Sequence, residues 1–435
     1  MLTKWNWLMA RLGRQLWFRA TLMGLLGIAT AAAGTMADRF LPDSWALEMG
    51  SDAVDNILTI LASSMLAVTT FSLTTLTSAL GDATSNASPR ATRLLMQDGV
   101  TQNVLSTFVG AFLFSIVGIV VLQAQAYGER GRAVLFFVTI LVLALVVVSL
   151  LRWIDHLIKL GRVGETAQRV QTIARSTLKA RKEAPGLGGK LRPPGQPMPT
   201  LARRVAATGI GYIIHIDMQL IEKAAAERDL RVDLATLPGS YVHPGATLAY
   251  VSGATDEALE DCIRAACAIS VSRDYDQDPR FGILVLSEIG SRALSPGIND
   301  PGTAIDMIAR ITELLAFWAE GEVEQADVRY PHVHVPMLNS ADLLEDGFAA
   351  IARDGAGVIE VQMRLQKALG ALMGMGDDSF RSAARTQSRL AFARAEKALT
   401  LPEEVERLAA LLPPRDADDL QGKADNAEPQ AVDDR

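Results

Sequence analysis

The stretch AVLFFVTILVLALVVVSLL, residues 133–151, contains no charged residue. A helix needs about 20 mainly apolar residues to cross the hydrocarbon core of a bilayer, so this run predicts a membrane-spanning helix. A helix of this kind indicates that the chain contains an α-helical membrane domain. Apolar runs of similar length lie upstream, at residues 16–37, 57–80 and 104–124. We therefore expect an α-helical membrane domain of four transmembrane helices over residues 16–151.

Basic residues near the ends of the predicted spans indicate their orientation, because loops that stay in the cytoplasm are rich in Lys and Arg. Such residues precede the first span or lie at its edge, separate the second from the third and follow the fourth: Lys4, Arg11, Arg14, Arg19, Arg90, Arg93, Arg152, Lys159 and Arg162. We expect both termini in the cytoplasm and the protein in the inner membrane of a bacterial cell. A cleaved signal peptide is the alternative interpretation of the N-terminus.

The second span is rich in hydroxyl side chains. Five of them recur at spacings of three, four or seven residues and so share one helical face: Thr59, Ser63, Thr70, Thr74 and Thr77. One interpretation is tight packing between helices, which small and hydroxyl residues favour in membranes. The other is that these five residues line the pore of a homo-oligomer. The cores of the second, third and fourth spans carry no charge, which argues against a proton-coupled transporter.

Beyond the spans, the composition predicts a cytosolic mixed α+β domain with a small β-module and a mainly helical C-terminal half. The predicted segments are a cytosolic N-terminus over residues 1–15, a continuous basic juxtamembrane helix over 152–183, a Pro/Gly linker or extended crossing segment over 184–200, a β-containing module over 201–270, a helical domain over 271–411 and a disordered acidic tail over 412–435. The tail is acidic and poor in apolar residues, which is the composition of disordered segments.

Within the β-module, Asp217 is a plausible N-cap for a short helix, and residues 256–270 are predicted to form another helix. That second helix would contain both cysteines, Cys262 and Cys267, which we expect to be reduced packing residues. Further on, His332 and His334 are two apart on a predicted strand and therefore share a face. Metal sites usually have three or more protein ligands, so we expect neither a metal nor another cofactor.

The stretch SRALSPGINDPGTAID, residues 291–306, separates two apolar helices. Ser295-Pro296-Gly297 breaks the first helix, and Asp300-Pro301 has the pattern of an N-cap followed by the first helical residue. A helix N-terminus with an arginine nearby can bind an anion. Three interpretations of this turn therefore remain open: a plain turn, an anion or ligand site, or a catalytic centre. The candidate ligand-binding residues are Arg273, Asp276, Arg292, Asn299 and Asp300, and no residue is assigned a catalytic role.

Two stretches of the chain carry a family resemblance. One is FGILVLSEIGSRALSPGINDPGTAIDMI at residues 281–308, preceded by RDYDQDP. The other is the second-span region from Ser63 to Ile119, which includes the Ser88-Pro89-Arg90 turn. Both resemble the DUF2254 family of bacterial membrane proteins of unknown function. The resemblance covers residues 10–400 and implies an integral membrane protein with a cytosolic C-terminal domain, without implying an activity. The chain departs from the family pattern at GFAAIARDG, residues 347–355.

These patterns favour an oligomeric channel-like or scaffold protein with a cytosolic ligand-sensing domain. The alternative is a membrane-anchored enzyme or a small-anion-binding module with its site at the SPGINDP turn. The chain has no phosphate-binding loop, dinucleotide fingerprint or nucleophile elbow, which argues against an enzyme. Its net charge of −7 argues against nucleic acid as a partner. The expected partners are the lipid bilayer, further copies of the chain and a small anionic ligand.

Overall fold

A computed structural model describes most of the chain. The described residues are 51–86, 88–91, 99–124, 129–159, 161–193, 196, 202–253, 256–321 and 327–413, with six positions between 21 and 29. The first predicted span and the acidic tail from residue 414 lie outside the described residues, apart from those six positions. The chain divides into a membrane unit, within residues 5–85 and 89–166, and an α+β unit formed mainly by residues 167–435.

The helices and strands are numbered in chain order. They are α1 Ser51–Asn86, α2 Gly99–Gln123, α3 Glu129–Lys159, α4 Val163–Glu183, β1 Gly189–Arg192, β2 Ala202–Ala206, β3 Gly211–Ile216, α5 Met218–Ala226, β4 Arg231–Leu234, β5 Tyr241–Val242, β6 Thr247–Ser252, α6 Glu257–Ala266, β7 Cys267–Ser270, α7 Pro279–Ala293, α8 Pro301–Ala319, β8 Tyr330–Pro336, α9 Ser340–Asp354, α10 Ile359–Leu372, α11 Asp378–Ala398 and α12 Pro402–Ala409.

The membrane unit contains three described helices that are long and apolar enough to cross a membrane. They are Ala53–Gly81 in α1, Gly99–Gln123 in α2 and Gly131–Ile158 in α3, and they contain most of the second, third and fourth predicted spans. One face of α1 packs against α2 and α3 through large apolar side chains, among them Leu61 and Met65 with Phe108 and Trp153. Residues on the other faces of α1 are exposed.

The predicted continuous helix over residues 152–183 is wrong, because the structure divides it. Helix α3 ends at Lys159 and α4 begins at Val163. Between them Gly161 has φ +83°, a left-handed conformation that glycine adopts without steric cost and that no helix can continue through. The sequence pattern missed this break because the apolar residues keep helical spacing on both sides of the glycine.

The α+β unit is built around a five-stranded sheet in the order β1-β8-β4-β6-β2. Strand β8 pairs in parallel with β1 and β4, whereas β6 is antiparallel to β4 and β2. The sheet extends beyond the predicted β-module of residues 201–270, since β1 lies in the predicted linker and β8 in the predicted helical domain. A Pro/Gly-rich segment can supply β1 because this strand is at the edge of the sheet.

The inner face of this sheet carries the hydrophobic core of the β-containing part. Val232 on β4 and Val333 on β8 pack with Ile221 of α5 and Ile263 of α6. The capping aspartate expected before α5 is confirmed, because the Asp217 carboxylate accepts a hydrogen bond from the Leu220 N–H at 3.1 Å. In β8 the valines alternate with His332 and His334, which lie on the opposite face as the period of a strand requires.

A smaller sheet, in the order β5-β3-β7, corrects the helix predicted over residues 256–270. Helix α6 ends at Ala266, and residues 267–270 form β7, which pairs antiparallel with β3. Cys267 leaves the helical conformation with ψ 104°, so only Cys262 is helical. Both cysteines are free thiols. Pairing with β3 determines the strand conformation of residues 267–270, and the local sequence propensity does not indicate this pairing.

Helix α4 is held in the α+β unit by its basic residues. Arg175 pairs with Glu313 of α8 at 3.0 Å. The Lys182 ammonium donates hydrogen bonds to the carbonyls of Phe317 (2.8 Å) and Glu320. No residue in the last turn of α8 is basic, so Lys182 supplies the positive charge that a helix C-terminus favours. Two of the basic residues of α4, Arg175 and Lys182, therefore contact α8.

Replacing Lys182 by Met should lower the free energy of unfolding by about 1–3 kcal/mol, because two carbonyls lose a charged donor. The matched control is Lys179→Met on the same helix, since the Lys179 side chain is 68% exposed. That control should change the stability by less than about 0.5 kcal/mol. Urea unfolding of the full chain in detergent, followed by tryptophan fluorescence, measures both. Equal losses would contradict the role of Lys182.

Candidate functional site

The RDYDQDP loop, residues 273–279, is partly buried and contacts three parts of the α+β unit. Thr177 of α4 donates a hydrogen bond to the Tyr275 carbonyl at 2.9 Å. The Gln277 side-chain carbonyl accepts one from the Ile216 N–H of β3 at 3.0 Å. Asp278 caps α7 by accepting from the Arg280 N–H at 3.1 Å, and Pro279 is the first helical residue. Helix α7 therefore begins at the Asp278-Pro279 pair.

Asp278 is the centre of a buried charge cluster. Its side chain accepts two hydrogen bonds from Arg273, at 2.7 and 3.0 Å, and is only 1% exposed. Burial raises the pKa of Asp278, and the Arg273 guanidinium opposes that rise. Arg181 of α4 is 3% exposed, and burial lowers its pKa to about 10, opposed by the charge on Asp278.

The SPGINDP turn, residues 295–301, closes on itself. The Asp300 N–H donates to the Ala293 carbonyl at 2.8 Å, and Asn299 has φ +52°. The Asp300 carboxylate accepts hydrogen bonds from the Thr303 N–H at 3.0 Å and the Thr303 hydroxyl at 2.6 Å. These bonds hold the pKa of Asp300 below its usual value. The expected N-cap is confirmed, and its own carboxylate stands where an anion would bind.

The structure does not bring the five candidate ligand-binding residues together. Arg273 and Asp276 lie in the RDYDQDP loop before α7, whereas Arg292, Asn299 and Asp300 lie at or beyond the far end of α7. A helix of 15 residues is about 22 Å long, too long for one small ligand to contact both ends. Arg273 is also committed to Asp278. The RDYDQDP and SPGINDP motifs are therefore close in sequence but lie at opposite ends of α7.

The five hydroxyl residues of α1, in contrast, do share one face, and all five are exposed. At 100° per residue this face is about 150° away from the face that packs on α2 and α3. The hydroxyls mostly bond to carbonyls of their own helix. Ser63 donates to Thr59, Thr70 to Leu66, Thr74 to Thr70 and Thr77 to Thr74, at 2.8–3.0 Å.

A cavity of about 380 Å³ that the sequence patterns do not indicate lies in the α+β unit. It is at the carboxyl ends of the parallel strands β1 and β8, where Arg192 and Pro336 are the last strand residues. Asn339, Ser340, Asp377 and Ser379 at the starts of α9 and α11 also line it. Asn339 and Asp377 cap those two helices. No local motif marks this cavity, since only the pairing of β1 with β8 assembles it.

No set of three or more His, Cys, Asp or Glu side chains in the described part of the chain is arranged to hold a metal ion. His332 and His334 do share a face of β8. They have different neighbours, because His332 contacts Glu222, whereas His334 pairs in register with Asp233 and Lys190.

The apolar helices and the attached α+β unit define a predicted membrane protein. Residues 13–371 match the model of a family described as predicted membrane protein (DUF2254), and the chain belongs to that family. It is similar to uncharacterised proteins of Mycobacterium bovis and Mycobacterium tuberculosis, at 28% identity over 79% of this chain and 71% of each relative. No solved structure matches the chain. The expected family resemblance is thereby confirmed.

The contact between Asp278 and the Pro238-Gly239 turn predicts a difference between two glycines. Gly239 (φ +94°) and Gly245 (φ +87°) both have left-handed backbones. A Cβ on Gly239 would lie 2.4 Å from an Asp278 oxygen, and one on Gly245 would have no neighbour within 4 Å. Both alanine variants should lose about 1–2 kcal/mol to backbone strain. Gly239→Ala should lose a further 1–3 kcal/mol to the clash.

Thermal unfolding of the two full-length variants in detergent, beside the native chain, measures this difference. Both glycines have a positive φ that is unfavourable for alanine, so Gly245→Ala serves as the control for strain. Equal shifts of the melting temperature for the two variants would mean that Asp278 does not hold the turn.

Proposed function

We propose that the protein is a multi-pass, homo-oligomeric protein of the bacterial inner membrane, in which copies of α1 meet through their hydroxyl face. The observation that carries this proposal is the exposure of Thr59, Ser63, Thr70, Thr74 and Thr77 on the side of α1 turned away from α2 and α3. In this assembly the hydroxyl face lines either a contact between protomers or a polar pathway along the oligomer axis.

The chemistry of this face supports close approach between helices. Small side chains let helix backbones come near each other in a bilayer, where the hydrophobic effect supplies no driving force. Hydroxyls that bond to their own helix can face a partner without leaving an unsatisfied donor in hydrocarbon. Their oxygens keep a further lone pair for a partner hydroxyl, a water or an ion. Large exposed side chains flank the face, among them Leu73 and Phe71.

The proposed orientation follows from the basic residues beside the spans, which favour cytoplasmic termini and a cytosolic α+β unit. A ligand-sensing role for that unit is supported by the cavity at the ends of β1 and β8. Its lining mixes the cation Arg192 with several hydroxyl and amide groups and with apolar Met337 and Leu338, a combination found in small-molecule sites.

The alternative, a small-anion-binding module or enzyme at the SPGINDP turn, has less support. Asp300 places a negative charge on the N-terminus of α8, so an anion there would meet a like charge. Arg273 cannot reach the same ligand across α7. If the alternative is correct, it must rest on Arg292 and Asn299 without Arg273 and Asp276.

Cysteine crosslinking in native membranes tests the oligomer, using a chain in which Cys262 and Cys267 are replaced by alanine. Thr70→Cys and Thr74→Cys should form disulfide-linked dimers under mild oxidation, because copies of this face meet in the proposed assembly. Phe71→Cys is the matched control. Phe71 is 66% exposed but points about 100° away from the hydroxyl face, so it should form far less dimer.

A purified chain that remains monomeric in native mass spectrometry, with equal crosslinking at positions 70 and 71, would overturn the proposal. Conductance of the reconstituted protein separates its two versions. If the face lines a pathway, Thr70→Val and Thr74→Val should lower the current at unchanged oligomeric state. If it is only a contact, native protein should show no current and the valine variants should shift the oligomer equilibrium.

A further inference from the structure

The cavity at the ends of β1 and β8 has charges of both signs in its lining. Arg192 is the last residue of β1, and Asp377 is the residue that precedes α11. Strands β1, β8 and β4 run in parallel and end on the same side of the sheet, at Arg192, Pro336 and Leu234. Small molecules commonly bind beyond the carboxyl ends of parallel strands, so the position of this cavity suits a ligand site.

Arg192 contributes a largely buried guanidinium to the cavity wall. Its side chain is 12% exposed, and its Nη1 donates a hydrogen bond to the Leu234 carbonyl at 3.1 Å. The Asp233 carboxylate accepts two hydrogen bonds from Arg231, at 2.8 and 2.7 Å, and gives Arg192 only a longer contact, at 3.8 Å. A guanidinium has five N–H donors in a planar fork that matches a carboxylate. Arg192 can therefore bond to a ligand carboxylate in addition to Leu234.

Asp377 contributes a negative charge to the same cavity. One of its oxygens accepts the Phe380 N–H at 2.7 Å and so caps α11. Within the described part of the chain, the Asp377 carboxylate pairs with no basic side chain, whereas the neighbouring Asp378 pairs with Arg381 at 2.6 Å. A carboxylate offers about four lone-pair sites, so Asp377 retains acceptors for an ammonium group.

We propose that this cavity binds an α-amino acid with an apolar side chain, whose carboxylate bonds to Arg192 and whose ammonium group bonds to Asp377. A ligand with a single charge would meet a like charge in the lining, whereas a zwitterion is complementary to both. Met337 and Leu338 also line the cavity, and Met337 is 43% exposed, so it offers an adaptable apolar surface to the ligand side chain.

The size of the cavity agrees with such a ligand, because about 380 Å³ is within the range of small-molecule sites. This inference rests on the proposed ligand-sensing role of the α+β unit, and it names the class of ligand that the unit senses.

Isothermal titration calorimetry of the purified full chain in detergent tests the class of ligand. At least one of the probes L-leucine, L-methionine and L-phenylalanine should bind saturably at one molecule per chain. Analogues of the tightest probe then remove one charge at a time. For leucine these are isocaproate, which lacks the ammonium group, and isoamylamine, which lacks the carboxylate. Each analogue should bind about 10–100-fold more weakly, because it loses hydrogen bonds to a charged partner.

Two substitutions locate the site. Asp377→Asn removes the charge and keeps the helix cap, since asparagine caps as well as aspartate does, and its melting temperature without ligand should equal that of the native chain. Asp377→Asn and Arg192→Gln should each weaken binding of the amino acid by about 10–100-fold. Asp378→Asn is the matched control, because the Asp378 side chain is 99% exposed and does not line the cavity. This control should leave the affinity unchanged.

Absence of saturable binding for all three amino acids would overturn the proposal, and so would binding that neither Asp377→Asn nor Arg192→Gln weakens. If isocaproate or isoamylamine binds as tightly as leucine and Arg192→Gln abolishes that binding, the zwitterion is wrong and the ligand-sensing role stands. The crosslinking test of the oligomer is independent of these outcomes.

Discussion

The α+β unit depends on one buried carboxylate, that of Asp278. A desolvated charge is unfavourable unless it is paired and hydrogen-bonded, and the Arg273 guanidinium and the Arg280 N–H of α7 provide those partners. The Pro238-Gly239 turn approaches so closely that only glycine fits beside the carboxylate. Arg181 adds positive charge from α4. One aspartate therefore fixes the start of α7, the path of the RDYDQDP loop and the place of a turn distant in sequence.

The membrane unit obeys a related constraint, because hydrocarbon offers no hydrogen-bond partner to a polar group. Four of the five hydroxyls on the outer face of α1 meet this requirement by donating to carbonyls one turn earlier. Such a face is compatible with lipid, with a second helix and with a polar pathway, so its exposure opposite the packed face is what favours an assembly of several copies. The proposed oligomer depends on this geometry more than on hydroxyl content.

The two sequence motifs at the ends of α7 have a structural role that their composition does not indicate. RDYDQDP and SPGINDP are both rich in charged and turn residues, as ligand-binding loops often are. In the structure the carboxylates of Asp278 and Asp300 cap the helices that follow them, and Asp278 is also paired with Arg273. The cavity at the ends of β1 and β8, which we propose as a ligand site, is instead assembled from residues far apart in the chain.

The sequence by itself determined the features that depend on neighbours along the chain. The apolar runs of the second, third and fourth spans, the caps at Asp217, Asp278 and Asp300, and the alternation in β8 all follow from local spacing and chemistry. Tertiary structure alone decided the strand conformation of residues 267–270, the separation of Arg273 from Asp300 by α7, and the meeting of Glu222, Asp229 and His332. The physical reason is that strand pairing and side-chain contacts bring together residues that are far apart in the chain. Such contacts produce no periodic pattern in the sequence.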